Sequence, residues 1–418
     1  MVRPKLDDEV ILNAVLFGHG SHEASWRAPV ASPAAPLTLA HWTDCARLAE
    51  DAGFDGVFLG DILCLQDHPE HHPSEALDPF MVLSVMAAVT TRIRLTGTAS
   101  TSFNHPFHLA RRILTLHHLS GGRAGWNIVT SSYPQEAGNF GWDEMPATAE
   151  RYAMADDVVR AVLALWNAWA DVARVGDKAT GRYLSQAPAH VRTTGRYGRI
   201  DGAVNLGPVP YDRPLLAQAG SSAEGVAFAG HHADHVFTVQ SDMNSAVAFR
   251  ARIRQTAAAA GRDRDTVKVL PGVVPFIGET LAEAEAQLQT LTDLAGLDHL
   301  LAKLARFTGL AVQDMALDAP LSIRPEDLPD NRFSNSRARL LVAHACEAGL
   351  TMRQLAARFA AGRGHLLLVG TGPQIAATMQ TWLDAGAADG FNVMVPELPH
   401  GIADFGAHVL PHLRRHAP

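Results

Sequence analysis

Only three cysteines occur in 418 residues, at positions 45, 64 and 346, and no two form a CxxC pair. That spacing excludes a disulfide framework and a thiolate zinc site, and a reducing, cytoplasmic setting fits it. Basic residues are in deficit, 35 Lys and Arg against 43 Asp and Glu, for a net charge of −8. With no Lys/Arg run either, a nucleic-acid backbone is not a fitting partner. No uninterrupted apolar stretch approaches the ~20 residues of a membrane helix. The N-terminal MVRPKLDDEV places acids straight after its basic residues and has no apolar core, so it does not read as a secretory signal. Also missing are a sequence repeat, a low-complexity linker and a GxGxxG dinucleotide fingerprint.

What remains is ordinary globular composition, 47% hydrophobic and 19% charged, enough to bury a large core. Apolar β-rich runs alternate with segments of helical periodicity. Strand Val10 to Phe17 is followed by helix Leu37 to Ala52, strand Gly56 to Gly60 by helix Pro79 to Thr90, and strand Ile93 to Ala99 by helix His105 to Leu119. Strand Ala124 to Thr130 precedes a long helix from Ala149 to Ala173. After a polar excursion over 175–205 that reads as a hairpin, the alternation resumes. Strands Pro214 to Ala219, His235 to Val239 and Val267 to Ile277 come with helices Ala223 to His232, Met243 to Ala260 and Leu281 to Leu294. The stretch 295–364 holds helical pieces, His299 to Phe307 and Ala338 to Phe359, but no clear strand, and reads as an inserted lid or flank. Helix Pro373 to Ala385, strand Gly390 to Met394 and helix Ile402 to His416 close the chain. Strand-helix units of this kind force parallel strands and close as a barrel or an open doubly wound sheet. Eight strands favour an α/β fold of (β/α)₈ type, one domain over 1–418 with insertions near 175–205 and 295–364.

Such barrels carry their chemistry at the C-terminal ends of the strands. The polar residues there are His19 and His22, Asp61, Thr98 and Ser100, Asn127 and Ser131, and Ser221 and Ser222. Gln218-Ala219-Gly220-Ser221-Ser222 leads from a strand into a helix, which offers free N–H groups and a positive dipole end to a phosphate. A serine there is, equally, the usual helix cap. Asp61, just past an apolar strand, needs a donor from ligand or protein. His68, His71 and His72 lack metal-site spacing, no metal is expected, and His117 and His118 near a helix end read as a surface pair.

Gly125-Trp126-Asn127-Ile128-Val129-Thr130-Ser131, with Ala137-Gly138-Asn139-Phe140-Gly141, resembles a motif of the FMN-dependent luciferase-like monooxygenases. The branch most similar includes the nitrilotriacetate, EDTA, long-chain alkane and dibenzothiophene-sulfone monooxygenases. Gly53 to Asp61, Thr98 to Thr101, Pro106 to Arg111, Glu150-Arg151-Tyr152, Gln218 to Ser222, Val369 to Thr371 and Asp389 to Asn392 match in the same order. The resemblance implies that Asp61, Thr98, Asn127, Ser131 and Tyr152 line FMN, with Ser221 and Ser222 on its phosphate. It further implies reduced FMN as cosubstrate, delivered by a separate NAD(P)H-dependent flavin reductase, oxygenation of a small organic substrate, and a homodimer or homotetramer. Two positions where the family carries histidine are Thr148 and Ser132 here. By position alone, His19 or His22 would handle protons. The alternatives are an FMN- or deazaflavin-linked oxidoreductase on the same barrel and a flavin-binding protein without oxygenase activity.

Overall fold

The computed structural model describes residues 10–66, 69–70, 73–207, 209–312, 315–329, 335–362 and 364–413. His68, His71 and His72 lie outside them. The strands in chain order are β1 Ile11–Leu16, β2 Gly56–Leu59, β3 Arg94–Ser100, β4 Ala124–Val129, the short β5 Arg174–Asp177, β6 Arg182–Leu184, β7 Val191–Arg192 and β8 Asp201–Gly202, then β9 Leu215–Ala219, β10 His235–Thr238, β11 Lys268–Ile277, β12 Leu366–Gly370 and β13 Gly390–Val393. Eight of them, β1 to β4, β9 to β11 and β13, form a closed parallel ring in which β11 joins β10 to β13. The expected barrel is therefore present, and β5 to β8 form two antiparallel pairs in the excursion where one hairpin was expected.

Three departures have physical causes. The ninth parallel strand, β12, pairs with the C-terminal half of β11 outside the ring. Its five-residue apolar run is too short for periodicity to distinguish from loop or buried helix. The single helix read from Ala338 to Phe359 is two, Asn335–Glu347 and Met352–Gly362, because Gly349 turns the chain at φ 62°. His117, read as a surface residue, is buried and hydrogen-bonds through Nε2 to the Asp212 carbonyl at 2.7 Å.

The helices take their places by apolar spacing. Pro106–Leu119 buries Leu109, Ile113 and Leu116 at intervals of four and three, and each such side chain contributes about 1.5–3 kcal/mol when fully buried. Inside the ring, Asn13 of β1 lies opposite Gly56 of β2 and Asn392 of β13. The Asn13 amide donates to Asn392 Oδ1 at 2.9 Å, and any side chain at Gly56 would run into it.

One device recurs at the N-terminal face. Asp55, Asp234 and Asp389 immediately precede β2, β10 and β13, and their carboxylates accept the N–H of Leu12, Leu216 and Val269 at 2.8–2.9 Å. Their own N–H groups donate to the carbonyls of the same three residues. Each aspartate thus fixes the register of its strand against a neighbour. Arg213 pairs with Asp234, and Arg250 and Arg254 with Asp389. Burial would raise both carboxyls, but the arginine contacts hold them below the usual range. Asp389→Ala, which takes the shared carboxylate from Arg250 and Arg254 and leaves them the Gly386 carbonyl and Asp265, should lower unfolding free energy by about 3 kcal/mol. A loss under about 1 kcal/mol in chemical denaturation would refute this account of ring closure.

Candidate flavin site

At the opposite face, β3 and β4 carry a line of polar side chains. Thr98 lies opposite Asn127 in the parallel register. Thr98 Oγ1 donates to the Leu59 carbonyl at 2.8 Å and accepts from Asn127 Nδ2 at 2.8 Å. Ser131 Oγ donates to Ser100 Oγ at 2.9 Å. Asn127 Oδ1 is buried and has no partner among the described residues. Turning the amide over would only exchange which atom is unmatched, and a buried unmatched polar atom costs about 1–3 kcal/mol.

A second group of side chains gathers where β9 leads into helix Ala223–His232. Ser222 is that helix's N-cap, accepting from Gly225 N at 3.1 Å, so the capping reading of this serine holds. Tyr152, on helix Thr148–Asn167, bonds Ser222, and its hydroxyl accepts from Gln218 Nε2 at 3.4 Å. Burial pushes the Tyr152 phenol up, so it stays protonated. A Cβ on Gly220 or Gly225 would lie 2.8 Å from the Tyr152 hydroxyl, so side chains are kept out of this cradle. Gln218 Oε1, like Asn127 Oδ1, is buried without a partner. No hydrogen bond of the Ser221 side chain is found among the described residues.

The remaining positions stand apart. Asp61 lies in the loop after β2, where burial, then Asp78 and Glu136, push its carboxyl up to about 6. His19 Nε2 is 3.2 Å from the carbonyls of Ser32 and Pro33, half exposed. His22 is 3% exposed, with Nδ1 accepting from Ala24 N at 3.1 Å and Nε2 unmatched. Its ring meets Phe276 edge-on at 6.3 Å. Burial lowers His22 to about 4, against the opposing charge of Glu23. The structure therefore joins Thr98 to Asn127, Ser100 to Ser131 and Tyr152 to Ser222, and shows no direct bond from these to Asp61, His19 or His22.

Several contributors were not singled out from sequence. Gln218 belongs to the segment Gln218 to Ser222, and an amide inside the otherwise apolar Leu-Leu-Ala-Gln-Ala strand is its signal in the sequence. Glu136 accepts from Leu63, Ser132 and Tyr133 N–H groups at 3.1–3.2 Å and ties the loop after β2 to the loop after β4. Phe58, Phe237 and His365 form an aromatic wall with centroids 5.3–5.4 Å apart. The loop after β1 is fastened to the segment between β11 and β12 by a Glu23–Lys303 ion pair, by Glu23 N to the Ala360 carbonyl at 3.4 Å and by Arg27 to the Leu294 carbonyl. Among the described residues no cluster of three metal-binding side chains occurs, and no helix is long and apolar enough to cross a membrane.

A parallel barrel with polar groups at the C-terminal ends of its strands is an architecture that carries enzyme chemistry at that face, and the N-terminus of a capped helix beside them can receive a phosphate. The model of the luciferase-like monooxygenases matches residues 20–389, and the chain belongs to that family. N-acetyl-S-(2-succino)cysteine monooxygenase of Bacillus subtilis (strain 168) is 37% identical, with 97% of this chain and 92% of that protein aligned. Nitrilotriacetate monooxygenase component A of Aminobacter aminovorans is 36% identical, over 95% and 90%. Among solved structures, DmoA from Hyphomicrobium sulfonivorans superposes with a TM-score of 0.84 at 29% identity, covering 97% of this chain and 88% of that one. The chain is accordingly an oxidoreductase, a flavin-dependent monooxygenase of the luciferase-like family.

The buried neutral His22 makes stability depend on pH. Its folded pKa lies below the unfolded value of 6.5, so its contribution is present near pH 7 and is lost as pH falls from 6.5 toward 4. The difference in unfolding free energy between wild type and His22→Gln should shift by up to about 3 kcal/mol across that window. A difference that stays constant with pH would contradict the burial argument.

Proposed function

We propose that this protein binds reduced FMN, taken from a separate NAD(P)H-dependent flavin reductase, and oxygenates a small organic substrate. The observation that carries this is the pairing of an unmatched buried amide at Asn127 with the glycine cradle at the N-cap of helix Ala223–His232. One offers a polar atom to a ring system inside the barrel, the other N–H groups, hydroxyls and the helix dipole to a phosphate. In this reading Asp61, Thr98, Asn127, Ser131 and Tyr152 line the flavin, and Ser221 and Ser222 hold its phosphate. When bound, reduced flavin supplies two electrons to dioxygen, one oxygen atom entering the substrate and the other leaving as water.

The chain's own side chains then orient, exclude water and handle protons. The aromatic wall of Phe58, Phe237 and His365 and the fastened insertion keep water from the reacting centre. His22, held neutral by burial with Nδ1 accepting from Ala24 N, carries its proton on Nε2 and can donate it as a hydrogen bond there; His19, turned toward the Ser32 and Pro33 carbonyls, is the weaker of the two expected proton carriers. A homodimer or homotetramer in the cytoplasm completes the proposal. The all-round apolar helix Pro79–Val89 with Met81 exposed supports self-association, which light scattering tests.

Titration of the protein with FMN and with a deazaflavin, followed by assay with a reductase and a substrate panel, tests the function. Tighter binding of FMN and formation of an oxygenated product are expected. Preference for the deazaflavin, or hydrogen peroxide release with no product, would favour the two rival readings in turn. Asn127→Ala and Ser222→Ala should each raise the FMN Kd roughly tenfold, about 1.4 kcal/mol. His22→Asn should lower turnover roughly 100-fold with FMN affinity kept, and unchanged turnover would remove His22 from the mechanism.

A further inference from the structure

Ser131 is, among the described residues, the one non-glycine with a left-handed backbone, at φ 53°. For a serine that conformation costs about 1 kcal/mol or more unless its surroundings impose it. Its carbonyl accepts from Arg151 Nη1. The same guanidinium donates through Nη1 to Thr130 Oγ1 at 3.2 Å, through Nε to the Pro146 carbonyl at 3.0 Å and through Nη2 to Thr148 Oγ1 at 3.0 Å. Four neutral acceptors from the end of β4, the loop before helix Thr148–Asn167 and that helix's first residue are thus gathered on one planar fork.

We infer that Arg151 is a positioning residue: it holds the Ser131 backbone in its left-handed turn, and so holds the Ser131 hydroxyl on Ser100 at the cofactor side of the barrel. The inference rests on the flavin reading above. It also gives Thr148 a role, since its hydroxyl takes one arm of the fork. A lysine at 151 keeps the charge but has a single nitrogen, which cannot span acceptors set on two sides of the turn. Ser131 is the coupling point because glycine adopts a positive φ without support.

FMN affinity, measured by flavin fluorescence together with the absorbance spectrum of the bound flavin, is compared in wild type, Arg151→Lys, Ser131→Gly and the double variant. Arg151→Lys should raise the FMN Kd roughly tenfold in the wild-type background and less than roughly threefold beside Ser131→Gly, a coupling expected of residues in contact. An equal loss in both backgrounds would mean that Arg151 acts on the ligand directly, and no loss at all would mean that it only supports the fold. Either result overturns the inference. Thr148→Val, which removes one acceptor at nearly constant volume, gives the same readout if Arg151→Lys fails to fold. It should weaken FMN binding roughly two- to fivefold, and unaltered binding there also overturns the inference. Failure of wild type itself to bind FMN would instead refute the flavin reading.

Discussion

Closure of the strand ring through β11 is the constraint on which the other features depend. This one strand pairs with β10 along its first half and meets β13 midway. Without those two pairings the sheet would be open, and β10 and β13 would be edge strands with unpaired backbone. Closure also demands a fixed stagger, and the aspartates before β2, β10 and β13 supply it by bonding to neighbouring strands through both backbone and carboxylate. The charges involved sit at the N-terminal face, where barrels place stability.

With the stagger fixed, alternate residues of neighbouring strands fall at one height and face one another. Thr98 and Asn127 meet because they are register partners, whereas Ser100 is the partner of Val129 and reaches Ser131 just beyond the end of β4, where the backbone turns left-handed. The price is a set of buried polar atoms that the protein itself does not match, at Asn127, Gln218 and His22. A fold selected for stability alone would fill such positions with apolar side chains or give them partners. The position of these three at the C-terminal end of a closed barrel is what the flavin proposal draws on.

The ring was legible because parallel strands buried on both faces read as continuous apolar runs, and eight of them alternated with amphipathic helices. Helix Ala223–His232 and the start of helix Leu281–Ala295 fell where periodicity put them. The insertion was less legible. Its helices pack chiefly on one another, with Leu300, Leu304, Leu355 and Phe359 in a small core of their own, so alanine-rich sequence hid the turn at Gly349. The site was legible as a face, not as a network. Position after a strand located Thr98, Asn127 and Ser222, but nothing in sequence indicates that Glu136 would tie two loops or that Glu23 would pair with Lys303. Those bonds join residues 73 and 280 positions apart and exist only after folding.

The two histidines missing relative to the family pattern bear on how this barrel differs from its relatives. At 148 the chain has a hydroxyl that accepts from Arg151, and at 132 a residue whose N–H is held by Glu136. Both positions are therefore engaged in fixing the loop after β4. An imidazole at 148 would offer a ring nitrogen that changes charge near neutral pH and would compete for the guanidinium arm that threonine now occupies. Threonine does not titrate, so the geometry at Ser131 is insulated from pH on this side. Two buried titrating groups, Asp61 and His22, lie on the loops after β2 and β1 and are shifted in opposite directions by the same cause, burial. The proton role proposed for His22 would accordingly sit on the loop after β1, away from the loop after β4.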